Sequence, residues 1–581
     1  MLNRTSAANS LKGDNLQSLT EAVRGAMTIS SPTRKQLCIH FGARPIRQLI
    51  WYDPTSTDAL DAMLRSACGL SPTEQYLLCE DGGAPVALSS SLPSGLTLHV
   101  SYVPKLATPS EVAIACDANI PTAGADAIVI IDPISTGAVL AHMAVHRNRV
   151  RVITVWSENV PVELRKFVAK GLGVPHAGVI QHKKGGIKET AAAVLALNIP
   201  VVAVLVGCET GVLLGDLLSE ALQMPSNGTG KSGLRRNKFF QTEAIREAGL
   251  NACGQRLAHT REDVEKFLSA SPDVNFKAVV KPVEGAGSDG VFICDSHAQV
   301  RKAFASLEGT KNVLGLDNYS VLLQEYLKGD EYVVDSVSRD GVHKCVAIWK
   351  YDKRVFNGAP VVYYGMRLMP IDSEPQLESM VRYTFSVLDT LGIKHGAMHS
   401  EIKLEERGPV VVEINCRLHG GEGTWAPMAE ACLGYSAVSA ALDAAVDPAA
   451  FSMLPTRPAN FKAHAMEAKL RSSVEGILTR IDEDKWKEII SMSSFKTCML
   501  TAVVGQPIVK TIDAVTASGN INLINEDPKK LEADYKRLHE LADDLFEARP
   551  ADERRSTMAE RATAAERESV AAGSYEPPAS G

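Results

Sequence analysis

Hydrophobic positions first fall into a regular pattern after a polar start, where "RKQLCIHFG" and "RPIRQLIWYD" alternate β-branched and aromatic residues with polar ones around a Gly-containing turn. This pattern predicts a β-hairpin. The period then changes: "STDALDAMLRSACGL" places Leu60, Met63, Leu64 and Cys68 on one helical face behind a Ser/Thr cap. "EQYLLCED", a Gly-Gly turn, "APVAL" and "LTLHVSYV" return to strand periodicity and complete a ββαββ order over residues 34–104. From about Glu111, "DAIVIID", "RVRVITVW", "HAGVIQH" and "IPVVAVLVG" are continuous apolar runs separated by helical stretches. Strands apolar on both sides predict a parallel sheet with both faces covered, an α/β domain over residues 110–230. Within it "DPISTG", Asp132 to Gly137, sits at a strand end before a helix, either as the wall of a binding crevice or as a plain capping turn.

Beyond "NGTGKSGL" the pattern is mixed α+β over residues 231–460, with lobes at about 240–328 and 329–460. Residues 461–549 carry a strand–turn–strand pattern through "GNINLIN" and a last helix, "DPKKLEADYKRLHELADDLFEA". The ends, residues 1–33 and 550–581, are polar and poor in aromatics, so disordered tails are expected there.

Composition narrows the class: 581 residues with 45% apolar and 22% charged side chains describe a multidomain globular chain. A net charge of −7 gives no general attraction to nucleic acid or to anionic membranes. The longest apolar run, near "IPVVAVLVG", is too short to span a bilayer. The 11 cysteines are odd in number and form no C-x-x-C pair, which fits a reducing, cytoplasmic compartment. The Arg/Ser/Thr-rich start leaves organelle targeting as the alternative.

"GTGKS" imitates the end of a phosphate-binding P-loop, but Pro225 stands where the first glycine belongs. Proline supplies neither the positive φ nor the N–H donor that such a loop uses there, so a solvated linker is expected instead.

Three other stretches carry chemistry. In "FKAVVKPVEGAGSDGVFIC" a strand ends on Lys281, and Gly285, Gly287 and Gly290 let backbone amides approach phosphate oxygens without Cβ interference. In "VLLQEYLKGDEYVVD" a strand delivers Gln324, Glu325, Tyr326 and Leu327, whose backbone suits an adenine edge, and Glu331 suits ribose hydroxyls. In "GAMHSEIKLEERGPVVVEINCRLHGG" Glu401 lies on one strand, and Glu413, Asn415 and Arg417 repeat with period two on the next. Two carboxylates and an amide oxygen form a hard-oxygen set suited to Mg²⁺, and Arg417 offers a planar fork for phosphoryl oxygens.

Taken in order, these elements resemble the ATP-grasp superfamily over about Glu111 to Pro550. "GCETGVLLGDLLSEALQMPSNGTGKSGLRRNKFFQTEAIREAGL", "EYVVD" and "RLHGG" look most like the L-amino acid ligases and related dipeptide-forming carboxylate–amine ligases. The resemblance implies an ATP-grasp fold preceded by a parallel α/β domain, with MgATP, typically two Mg²⁺ ions (Mn²⁺ as alternative), driving amide formation between small carboxylate and amine substrates through an acyl phosphate.

It implies that Lys238 and Lys281 reach the phosphates and that Glu284, Gly285, Ala286, Gly287 and Ser288 form the phosphate loop. By the same resemblance Gln324, Glu325, Tyr326 and Leu327 are the adenine hinge and Glu331 the ribose carboxylate. Glu401, Glu413 and Asn415 are the metal ligands, and Arg417 and Lys281 the catalytic cations. A homodimer is typical of such enzymes. His399 stands where D-alanyl-D-alanine ligases have an arginine, which leaves second-substrate recognition open among His399, His419, Arg367, His395 and Trp425.

Residues 34–104 resemble a ubiquitin-like β-grasp module, a type that usually binds another protein. The competing readings are an ATP-grasp acyl-CoA synthetase or carboxylase, and a nucleotide-binding scaffold that recruits partners through that module.

Overall fold

The computed structural model describes residues 34–41, 44–52, 64, 75–80, 97–103, 125–158, 160, 174–270, 276–284, 290–310 and 318–550. The expected tails, the "APVAL" strand and the glycine-loop residues Gly285, Ala286, Gly287 and Ser288 lie outside these. The chain divides into two units, Met1–Leu106 and Ala107–Gly581.

In the first unit the alternating runs form the hairpin Arg34–Phe41 and Arg44–Tyr52, joined by strands Gln75–Glu80 and Thr97–Val103. Numbered along the chain, the strand order is second, first, fourth, third. The outer pairs are antiparallel, and the central first–fourth pair is parallel. Leu64 is helical and fully buried.

The second unit opens with the predicted parallel sheet, ordered His176–Gln181, Arg151–Trp156, Ala127–Ile131, Val201–Val206. Its central strand shows why the run is continuously apolar. Ile128 and Ile130 pack with Val139 and Leu140 on one face, while Val129 and Ile131 pack with Leu214 and Leu218 on the other.

Two larger antiparallel sheets follow, with a small three-stranded one, Pro507–Ile508, Gly476–Ile481, Phe546–Arg549, towards the end of the described chain. The smaller of the two has the order Phe292–Cys294, Ala278–Pro282, Val321–Glu325, Gln255–Ala258. Val280 and Leu323 rest there on Val264, Leu268 and Phe304 of the helices Arg261–Ser269 and His297–Leu307. The larger has eight strands, beginning Gly408–Asn415, Gly396–Glu405, Glu331–Arg339, Val342–Phe356, Ala359–Leu368. Period-two alternation divides its faces. Tyr332, Val334, Ile348 and Met398 pack on the helix Leu377–Thr390, and Val333, Val337 and Trp349 pack on the opposite side.

The sheet continues without a break past residue 460 into His464–Leu470, Gly519–Asn525 and Phe495–Leu500. The helix Pro528–Ala542 lies against those strands through Leu531, Tyr535 and Leu538.

The "GTGKS" stretch keeps Gly230 and Lys231 exposed, as expected of a solvated linker, but hydrogen bonds tie it in place. Arg235 is buried and donates to Asp216 Oδ2 at 2.5 Å, to Gly228 O at 2.9 Å and to Asn227 O at 2.6 Å. Ser232 also donates to Asp216, and Lys231 Nζ reaches Thr390 O at 2.7 Å. A single buried guanidinium, satisfied by a carboxylate and carbonyls, fixes the segment.

Candidate active site

Glu401 and Glu413 are direct cross-strand partners, and so are His399 and Asn415 one step along. Two carboxylates face to face repel unless a cation lies between or beside them. Lys238 supplies one, its Nζ 2.7 Å from Glu413 Oε1. Asn237 places that lysine: its side chain caps the helix Lys238–Glu247 by accepting from Phe239 N at 3.0 Å and Phe240 N at 3.1 Å.

The backbone N–H of Lys238 donates to Val283 O at 3.3 Å, which brings the end of the Ala278–Pro282 strand alongside. Lys281 on that strand is buried. Burial, and next the neighbouring Lys238, push its pKa below the usual lysine value against the pull of Glu413 and Glu401. Arg417 lies beyond the strand that ends at Asn415, and its Nη2 returns to Asn415 Oδ1 at 3.2 Å. The structure thus gathers Lys238, Lys281, Glu401, Glu413, Asn415 and Arg417 into one cluster.

The other predicted groups flank it. Glu284 follows Lys281's strand and lies 3.5 Å from Arg236. Gln324 is buried, its Nε2 donating to Gln255 Oε1 at 3.0 Å. Glu325 accepts Gly254 N at 2.7 Å and Arg407 at 2.5 Å. Tyr326 has Lys277 Nζ 4.4 Å from its ring centre. Leu327 packs with Cys253 and Val410, with Val412 alongside, in an apolar patch next to the hinge. Glu331 is buried and pairs with Lys353 at 2.5 Å and with Lys403 at 3.7 Å.

His399 and His419 both turn to Asp335. His399 Nδ1 lies 3.3 Å from Asp335 Oδ1 and its Nε2 3.2 Å from Glu401 Oε1, while His419 Nδ1 lies 3.3 Å from Asp335 Oδ2. Trp349 Nε1 donates to the same carboxylate at 2.9 Å. Burial favours the neutral form of Asp335, but His419 and His399 outweigh it and hold the carboxyl well below its ordinary range.

Glu401 behaves similarly: burial raises it, the His399 hydrogen bond and charge, Lys353 and Arg417 lower it, and it settles at about 2. His399, drawn down by burial and up by its two carboxylates, ends raised. Burial and the nearby His399 lower His419. Trp425, fully buried, stacks on His419 and donates to Gly420 O at 2.8 Å.

Arg367 pairs away from the six-residue cluster, with Glu532 of the last helix, and lines a groove between that helix and the sheet. Tyr351 and Lys353 also line that groove. His395 is also apart, 3.8 Å from Asp340.

Three residues unnoticed in the sequence join the site. Lys353 is enclosed by the rings of Tyr351 at 4.7 Å and Tyr363 at 4.4 Å, beside Glu331 and within electrostatic reach of Glu401. A bulge between Asp352 and Lys353 shifts the strand's alternation there, which hid it. Asp335 had a readable signal, an acid set inside the otherwise uncharged stretch "YVVDSV". Glu209, at the end of the parallel sheet's edge strand, holds Arg417 Nε at 2.7 Å.

The donor set suits Mg²⁺. Glu401, Glu413 and Asn415 offer only oxygen, close together, with Lys238 and His399 offsetting the carboxylate charge. Sulfur is absent from the described residues of this cluster, and the nearby thiol of Cys253 is pushed up to about 12 by burial.

Residues 274–425 match the ATP-grasp domain. The chain is 30% identical over 347 residues to dapdiamide A synthase of Enterobacter agglomerans, covering 59% of this chain and 80% of that one. It is 30% identical over 161 residues to carnosine synthase 1 of Gallus gallus, covering 26% of this chain and 17% of that one. The L-amino acid ligase of Bacillus licheniformis shares the fold, with a TM-score of 0.57 at 17% identity over 74% of this chain and 99% of that one. A carboxyaminoimidazole ribonucleotide synthase from Aspergillus clavatus, solved with ATP, aligns with a TM-score of 0.51 at 15% identity over 72% of this chain and 99% of that one. With its two antiparallel lobes, its E-x-N-x-R strand end and these relatives, the chain belongs to the ATP-grasp superfamily, among its ADP-forming carboxylate–amine ligases.

Proposed function

We propose that the enzyme joins two amino acids, or amino-acid-like acids and amines, at the cluster around Glu413. The observation that carries this reading is the meeting of Lys238, Lys281, Glu401, Glu413, Asn415 and Arg417, drawn from separate lobes, in one partly buried site. The likeness to dapdiamide A synthase, which spans most of that relative, supports it.

On this reading Tyr326 and Leu327 present backbone groups to adenine over the Leu327–Val410–Val412 patch, and Glu331 takes the ribose. Lys238 and Lys281 hold the β and γ phosphates, with Lys353 as a further, partly buried cation. Glu401, Glu413 and Asn415 would hold Mg²⁺, which when bound neutralises phosphate charge.

A carboxylate oxygen of the first substrate attacks the γ-phosphorus, and the bond to the ADP oxygen breaks. Phosphoryl transfer asks mainly for positioning and charge neutralisation, which Lys281 and Arg417 supply. The amine nitrogen of the second substrate then attacks the acyl carbon, phosphate leaves, and the nitrogen gives up its proton. Exclusion of water during the reaction would protect the acyl phosphate. Residues 34–104 are proposed as a β-grasp module for a protein partner, a reading supported by the parallel pairing of the module's first and last strands.

A phosphate-release screen of paired amino acids with MgATP, followed by mass spectrometry, tests the function. The expected result is ADP, phosphate and a product heavier than the acid by the amine less water. ATP turnover that yields a thioester or a carboxylated product instead would overturn it.

A further inference from the structure

Arg417 does not stand free to meet a phosphoryl group; it is held on three sides. Its Nε donates to Glu209 Oε2 at 2.7 Å, its Nη1 to Leu418 O at 2.9 Å and its Nη2 to Asn415 Oδ1 at 3.2 Å. A guanidinium has five N–H groups, so these contacts leave one on each terminal nitrogen, a fork of the kind that fits two phosphoryl oxygens.

Only one of the three holding groups carries a charge and belongs to another domain. Glu209 opens a short 3₁₀ turn, Glu209–Gly211, after the edge strand Val201–Val206 of the parallel sheet. Its other oxygen accepts from Arg236, whose second terminal nitrogen lies 3.5 Å from Glu284. The turn itself is pinned: Thr210 Oγ1 donates to Asp132 Oδ2 at 2.6 Å, and Asp132 Oδ1 accepts Ser157 N at 2.8 Å.

We infer that Glu209 is the positioning residue for Arg417, a carboxylate supplied by the α/β domain that aims the guanidinium fork at the transferring phosphoryl group. Two physical points support it. Each carboxylate oxygen is engaged by a different arginine, so Glu209 ties two side chains of the site to the α/β domain. And the residue is buried with its charge retained: burial would neutralise it, but Arg417, Arg236 and Lys238 outweigh burial and keep its pKa below the ordinary glutamate value. A buried anion paired with two cations is costly to build unless the geometry it imposes is used.

The inference rests on the proposed role of Arg417, and a double-mutant cycle separates the two. ADP release is measured for Glu209→Gln, Arg417→Lys and the double variant, with KM for MgATP and both organic substrates. Glu209→Gln is expected to lower kcat about 10²-fold, the scale of losing one preorganised electrostatic group, with each KM within about threefold of wild type. In the Arg417→Lys background the same change is expected to cost less than about threefold more, because its target is gone.

Near-wild-type turnover of Arg417→Lys would remove the reading of Arg417 itself. An impaired Arg417→Lys with multiplicative losses in the double variant, or a Glu209→Gln defect confined to one substrate's KM, would overturn the inference alone. Glu209→Asp keeps the charge and shortens the arm by one methylene; should Glu209→Gln not fold, it carries the same cycle with the same deciding results.

Discussion

Lys281 occupies the hardest electrostatic position in the cluster, a buried ammonium beside a second lysine. Because burial and Lys238 depress its pKa, it sheds its proton at lower pH than a free lysine. The phosphates need its charged form, so kcat/KM for ATP is expected to fall on the alkaline side below the usual lysine range. Lys281→Arg, which stays protonated, should move that limb upward; an unchanged profile would contradict the assignment. The stability sign is the reverse. Between the depressed folded value and about 10.4 in the unfolded chain the unfolded state binds more protons, so the ATP-free protein gains stability as pH rises through that window.

Residue-scale chemistry was legible where strand parity governs it: Glu413 and Asn415 follow from period two alone. Arg417, named by the same period, lies past the strand's end and returns to Asn415. Legibility failed where the strand bulges: Lys353 enters through a register shift that simple alternation does not carry. The histidines were visible as candidates, but their common partner Asp335 lies some sixty residues upstream of His399, a pairing no local pattern contains.

Between the two larger antiparallel sheets the chain turns at Gly329, with φ of 84°. A Cβ there would lie 2.2 Å from Leu404 O, inside any tolerable contact, and the left-handed backbone disfavours it independently. Gly329→Ala is expected to cost about 2 kcal/mol or more, read as a lower denaturant midpoint with an unchanged slope. An unshifted midpoint would mean that the junction yields freely.

At this scale the short apolar runs of the parallel sheet were readable because burial on both faces removes polar positions. The continuation of the large sheet past residue 460 was not, since His464–Leu470 finds Ala359–Leu368 across roughly a hundred residues. Likewise one buried arginine, Arg235, anchors a stretch of linker-like composition.

Every residue assigned to the site falls within Ala107–Gly581, none in the four-stranded unit before it. Removing residues 1–106 is therefore expected to leave ADP formation within about threefold of the full chain, a range near 0.6 kcal/mol, while abolishing any partner binding that the module confers. Loss of turnover in a folded, truncated enzyme would show that the module acts on the site.

The account as a whole depends on the substrate carboxylate being phosphorylated by ATP. Once a substrate pair is identified, the acid can be supplied with both carboxylate oxygens as ¹⁸O and the released phosphate analysed by mass spectrometry. One ¹⁸O in the phosphate and one retained in the amide is the predicted result; unlabelled phosphate, or label found in AMP, would contradict it.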